Sequence, residues 1–174
     1  MTTFLIIAGT MIIVYAMLYL MAPIKYEIFR SVIIEKPLPE VFSFISLIKN
    51  QDIWSPWGRN VSEDEKTFTG TDGEVGFISA WEGSKEIGKG EQEIMNIVPN
   101  RTIETQLRFI KPFKVTSDSY IKVYEAGEHT EVLWGFKGVY KRPLNVVVFF
   151  MGIDKKLGRD FEVGLSKLKH YIEA

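Results

Sequence analysis

The chain has 174 residues, 21 basic and 22 acidic, a formal net charge of −1 and no cysteine. Acids and bases are interspersed, so neither a nucleic-acid surface nor a polybasic lipid patch is indicated. Without cysteine, disulfides, thiolate metal sites and a cysteine nucleophile are excluded.

Thr3 to Ala22 is an uncharged apolar run closed by Pro23. A helix of about 20 residues spans roughly 30 Å, enough to cross the hydrocarbon core of a bilayer. Tyr15 and Tyr19 near its end, followed by Lys25 and Tyr26, suit an interfacial position. Residues 1–25 are therefore expected to be a transmembrane anchor and 26–174 a globular domain. A cleaved signal peptide is one alternative, but no Lys or Arg precedes the run, and Leu20 with Ala22 makes a poor cleavage site. A buried core helix is the other, and the run lacks the polar face such a helix would show. Lys25, Arg30 and Lys36 follow the run, so the positive-inside rule favours a single-pass protein with a cytoplasmic head.

The head holds about 150 residues, enough for one domain with a hydrophobic core. Tyr26 to Glu35 is rich in β-branched residues and reads as a strand, stopped by Pro37 and Pro39. Leu38-Pro39-Glu40 opens a short helix with Val41, Phe42, Ile45 and Ile48 at helical spacing. Asn50 to Trp57 reads as a second short helix or turn, ended by Pro56. Strands are expected near 66–70, 74–82, 87–98, 101–110, 115–125 and 130–140, separated by turn signals such as Asp72-Gly73, Pro99-Asn100 and Ala126-Gly127-Glu128. Their short connections favour an antiparallel meander. A long helix from about Leu144 to Ile172 closes the chain, with Val147, Phe150, Met151, Leu157, Phe161, Leu165, Leu168 and Ile172 as its apolar stripe. Packing that stripe into the concave face of a curved sheet buries both and leaves room for a cavity.

This order resembles the α+β helix-grip fold of the START and birch-pollen-allergen superfamily. Several strings are similar to its polyketide-cyclase-like branch, the SRPBCC proteins: Pro37-Leu-Pro-Glu-Val-Phe, Trp54-Ser-Pro-Trp57, Gly73-Glu-Val-Gly76, Trp81-Glu-Gly83, Gly88-Lys-Gly90, Val98-Pro-Asn100 and the run from Asp154 to Glu162. The resemblance covers Tyr26 to the C-terminus. It implies a sheet wrapped around the last helix and a cavity for a hydrophobic ligand. The branch includes lipid carriers, hormone receptors, cyclases and chaperone activators, so no single reaction is implied.

Strand alternation predicts the cavity wall. Ile103, Thr105, Leu107 and Phe109 should face the helix, as should Ser117, Ser119, Ile121 and Val123, then Val132, Trp134 and Phe136, and Gly88, Gly90, Gln92 and Ile94. This wall is apolar and aromatic with a few neutral polar groups. It suits a hydrophobic ligand held by one or two hydrogen bonds, or a filled core whose polar groups bond locally. Gly88 and Gly90 either make room for a ligand or bend the sheet. Trp54 and Trp57 form either a lid over the cavity or a plug in the open end of the sheet, while Trp81 and Trp134 face inward. Asp154 falls on the apolar stripe, where it would orient a polar ligand end or act as a base; alternatively it occupies the first turn of the helix, near the dipole's positive end. The candidate ligand-binding set is thus Trp54, Trp57, Trp81, Gln92, Thr105, Phe109, Ser119, Trp134, Phe136 and Asp154.

Other motifs carry less. Gly83 to Gly90 has P-loop spacing, but Gly90 replaces the required Ser or Thr and a hairpin replaces the strand-to-helix turn. His129 and His170 are far apart in sequence, so no metal site or triad is expected. The sequons at Asn60 and Asn100 matter only in a secretory compartment. The leading expectation is a membrane-tethered domain binding a hydrophobic small molecule or lipid, without cofactor, metal or nucleic acid. The alternatives are a cyclase, dehydratase or hydrolase using Asp154 or an inner Ser or Thr as proton carrier, and an interaction module with a filled cavity.

Overall fold

A computed structural model describes residues 2–58, 61–62, 65–84, 88–112, 114–140, 142, 145–146 and 152–174. Helix α1 (Thr2–Met21) leads into β1 (Lys25–Ile34), α2 (Leu38–Ile45), a 3-10 turn (Ile48–Asn50) and the single-turn α3 (Gln51–Trp54). Six strands follow: β2 (Lys66–Thr69), β3 (Ile78–Glu82), β4 (Lys89–Val98), β5 (Thr102–Lys111), β6 (Val115–Ala126) and β7 (His129–Val139). The last helix, α4, spans Ile153–Glu173.

The seven strands form one antiparallel sheet in the order β1-β7-β6-β5-β4-β3-β2. Strands β2 to β7 are the meander that the short turns require, and β1 closes the far edge against β7, with Val32 opposite Val132. The expected strand over 74–82 is shorter: residues 72–76 are turn and bend, with Gly73 and Gly76 at positive φ, and β3 starts at Ile78. The last helix is shorter too. Gly152 adopts a left-handed conformation (φ 60°) at its N-cap, so the ordered helix starts at Ile153. Val147, Phe150 and Met151 of the expected stripe lie outside the described residues, as do the first sequon residue, Asn60, and Lys85 to Ile87 of the P-loop-like stretch.

The remaining stripe packs as its spacing requires. Phe161, Leu165 and Leu168 are at most 2% exposed and meet Ile103, Ile121, Val123 and Val132 from the sheet, with Val41 and Ile45 from α2. Each such side chain contributes about 1.5–3 kcal/mol on burial. Helix α2 owes its place to the same logic, since Pro39 stands in its first turn and its apolar side is buried.

Helix α1 stands apart. Its apolar window Thr3–Met21 is uncovered by the rest of the protein, so it is not a core helix. Its root is fastened to the head: Asn145 Nδ2 donates to Ala22 O (3.1 Å), Tyr140 N donates to Ile24 O (2.7 Å), and the Tyr26 and Tyr140 rings stack at 4.4 Å.

Candidate functional site

Between the sheet and α4 lies a cavity of about 420 Å³. Its walls come from β3 (Ser79, Trp81), β4 (Gln92), β5 (Leu107, Phe109), β6 (Ser119), β7 (Trp134, Phe136) and α4 (Leu157). Its rim comes from the segment after the 3-10 turn, with Gln51, Asp52, Ser55, Trp57, Gly58 and Val61, and from Lys66 at the start of β2.

Seven of the ten sequence-selected residues line this space: Trp57, Trp81, Gln92, Phe109, Ser119, Trp134 and Phe136. Antiparallel pairing accounts for their convergence. Gln92 lies opposite Leu107, Thr105 opposite Ser119, and Ser119 opposite Phe136. Side chains in register on one face of a sheet point into the same volume. The other three do not line the cavity. Thr105 is buried on the same face beside the lining residues and accepts a hydrogen bond from Gln92 Nε2 (3.1 Å), which orients that amide. Trp54 is fully buried, packed edge-on against Trp134 with centroids 4.7 Å apart, so it plugs the end of the sheet rather than covering the opening. Asp154 is exposed in the first turn of α4, because the helix begins immediately before it. There its carboxylate meets the positive end of the helix dipole.

The aromatic wall is itself packed. Trp57 stacks on Phe136 (5.6 Å) and meets Phe161 edge-on (5.7 Å), so it closes one side of the cavity with its face. Trp81 meets Phe109 edge-on at 5.9 Å and lies over Gly90, its partner across the strands. A Cβ at Gly90 would stand 2.5 Å from the Trp81 ring and 2.8 Å from Arg108 O. Gly90 therefore serves a close approach, and the space above it is filled by indole rather than left for a ligand. The ladder also shifts register at Lys89/Gly90, so a bend is present as well.

Sequence reasoning missed the polar rim. Lys66 Nζ lies 2.7 Å from Asp52 Oδ1 and donates to Gly58 O at 3.0 Å, with its side chain 7% exposed. No periodicity singles out these three positions, and the signal was only a lysine opening a strand. The tyrosine hydroxyls with displaced ionisation lie elsewhere: burial pushes Tyr140 up to about 12, and burial with a hydrogen bond to Glu27 pushes Tyr120 upward. Among the described residues no cluster of His, Asp and Glu is arranged to hold a metal.

The architecture is that of known helix-grip proteins. Aha1 from Colwellia psychrerythraea aligns with a TM-score of 0.59 at 13% identity, over 85% of this chain and 96% of that one. A Thermobifida fusca protein aligns at 0.61 and 15% identity, over 84% and 92%. Ara h 8.0201 aligns at 0.55 and 11% identity, over 85% and 97%. At these identities the likeness establishes the fold: a seven-stranded sheet gripping a long C-terminal helix. No protein-family model matches the chain, and no curated protein matches it.

Proposed function

We propose that this chain is a membrane-anchored binding protein for a hydrophobic small molecule or lipid. The observation that carries the reading is the cavity: about 420 Å³, walled by Trp57, Trp81, Trp134, Phe136 and Phe109, with polar groups from Ser79, Gln92 and Ser119 in the wall and from Asp52 and Lys66 at the rim. That volume and lining match the usual small-molecule site, roughly 300–1,000 Å³ and mostly apolar with a few oriented polar groups. The uncovered helix α1 supports the membrane part, because its 19-residue apolar window needs an apolar surrounding. Lys25, Arg30 and Lys36 after the helix favour a cytoplasmic head, and exposed Arg142, stacked over Tyr19 at 4.9 Å, adds a cation at the same level. An apolar ligand partitions into the bilayer, so tethering places the cavity beside its source.

Native mass spectrometry of the full chain released from detergent tests the binding. A discrete adduct lost on denaturation is expected, and a bare protein that also fails to take up ω-bromoundecanol would sink the reading. For the anchor, the protein should stay in the membrane on alkaline extraction with residues 3–21 still attached. A soluble protein starting after Ala22 would instead make α1 a signal sequence. A single Glu128→Cys label in the exposed β6–β7 turn, read with an impermeant maleimide, reports the side of the head.

A further inference from the structure

The rim of the cavity holds a built polar site, and we infer from it that the ligand is an uncharged amphiphile whose terminal hydroxyl or carbonyl oxygen accepts a hydrogen bond from Lys66. This deepens the cavity-binding reading and rests on it. Three observations combine. Lys66 lines the cavity although its side chain is 7% exposed, so its ammonium is held inside the structure. An ammonium has three donors, and among the described residues two are taken, by Asp52 Oδ1 (2.7 Å) and Gly58 O (3.0 Å). The third belongs to whatever occupies the cavity.

The pair is held in place by the backbone. A Cβ at Gly58 would stand 2.6 Å from Asp52 Cα and 2.8 Å from Asp52 Oδ1, so only glycine lets the carbonyl approach Lys66 while the carboxylate stays beside it. Asp52 sits on the one-turn helix α3 and Lys66 opens β2, and this contact ties the rim together.

Charge selects the ligand class. The lysine is already balanced by Asp52, so a ligand carboxylate would bring a second negative charge beside the first, at a lysine whose side chain is only 7% exposed. A hydroxyl or carbonyl oxygen accepts the third N–H with no added charge, while the apolar body lies along the aromatic wall. Long-chain alcohols, ketones and similar neutral lipids fit this description, and fatty-acid anions do not.

The tryptophans provide the readout. All four lie in the head and none in α1, so a heavy-atom probe that quenches them reports the cavity region. The full chain in nanodiscs is titrated at neutral pH with ω-bromoundecanol and with ω-bromoundecanoic acid. The alcohol is expected to quench at a concentration about tenfold lower than the acid. Lys66→Met should weaken the alcohol about tenfold and, with Asp52 left unpaired, should not improve binding of the acid. Asp52→Asn, which leaves the lysine charge unbalanced, should reverse the preference toward the acid, an outcome that loss of structure would not produce. Tighter binding of the acid by the unaltered protein would overturn the inference while leaving the cavity reading intact, as would an unchanged preference in both variants. Quenching by neither probe would overturn the cavity reading itself, and this inference with it.

Discussion

The two halves of the grip share the same strands and the same helix, yet one is a packed core and the other a cavity. In the closed half, Ile103, Ile121, Val123 and Val132 of the sheet meet Leu165 and Leu168 of α4, and all are at most 3% exposed. In the open half, two to six residues along the same strands, the inward positions are Leu107, Phe109, Ser119, Trp134 and Phe136, facing Leu157. Branched aliphatic side chains fill the first space from both sides. In the second, large rings stand at the perimeter and pack on each other, and small polar residues such as Ser79 and Ser119 occupy the wall between them. A cavity here is a matter of which inward positions carry volume, not of a change in architecture.

This contrast breaks first at the closed half. Leu168→Ala should lower stability by about 2–5 kcal/mol, because the site is fully enclosed and cannot collapse. Urea denaturation measures the loss, and the folded fraction should bind ω-bromoundecanol as before. Gly90→Ala tests the opposite wall. Its Cβ must displace the Trp81 ring and press on Arg108 O, at a cost of about 1–3 kcal/mol, with a changed tryptophan emission spectrum as the local signature.

Filling the open half should do the reverse of emptying the closed one. Leu157→Trp places a ring into the void rather than into packed atoms, so stability should change by less than about 1 kcal/mol. Probe binding should weaken at least about tenfold, and equal binding would mean that the probe sits elsewhere. The last test concerns the root of α1. Burial raises the Tyr140 hydroxyl to about 12, against about 10 in an unfolded chain. Below the unfolded value the proton is bound in both states, and between the two values the unfolded chain releases it first. Stability should therefore fall as pH rises through that window, and Tyr140→Phe should flatten part of the slope in urea midpoints taken across it.

Strand alternation was enough to select the inward face. Thr105, Leu107 and Phe109 alternate with Glu104, Gln106 and Arg108, so the inner face of β5 is legible from its residues alone, and β6 and β7 read the same way. Asp154 shows the limit of periodicity. Extrapolated through Phe150, the helical stripe carries Asp154 inward, but Gly152 resets the start of the helix and leaves it exposed. Trp54 and Trp57 were equivalent in sequence, three residues apart around Ser55-Pro56. Packing separates them, with Trp54 sealed against Trp134 and Trp57 lining the space.

By itself the sequence determined the elements, their order, the apolar first helix and the inward faces of β4 to β7. These follow from local rules: period, turn chemistry and the length of an uncharged run. The tertiary structure alone decided where the inward face is filled and where it is hollow, because that depends on the volume supplied from the opposite side. It also decided that Asp52, Gly58 and Lys66 meet at the rim. Their meeting sets α3 and Gly58 beside the start of β2, a juxtaposition that no pattern along the chain encodes.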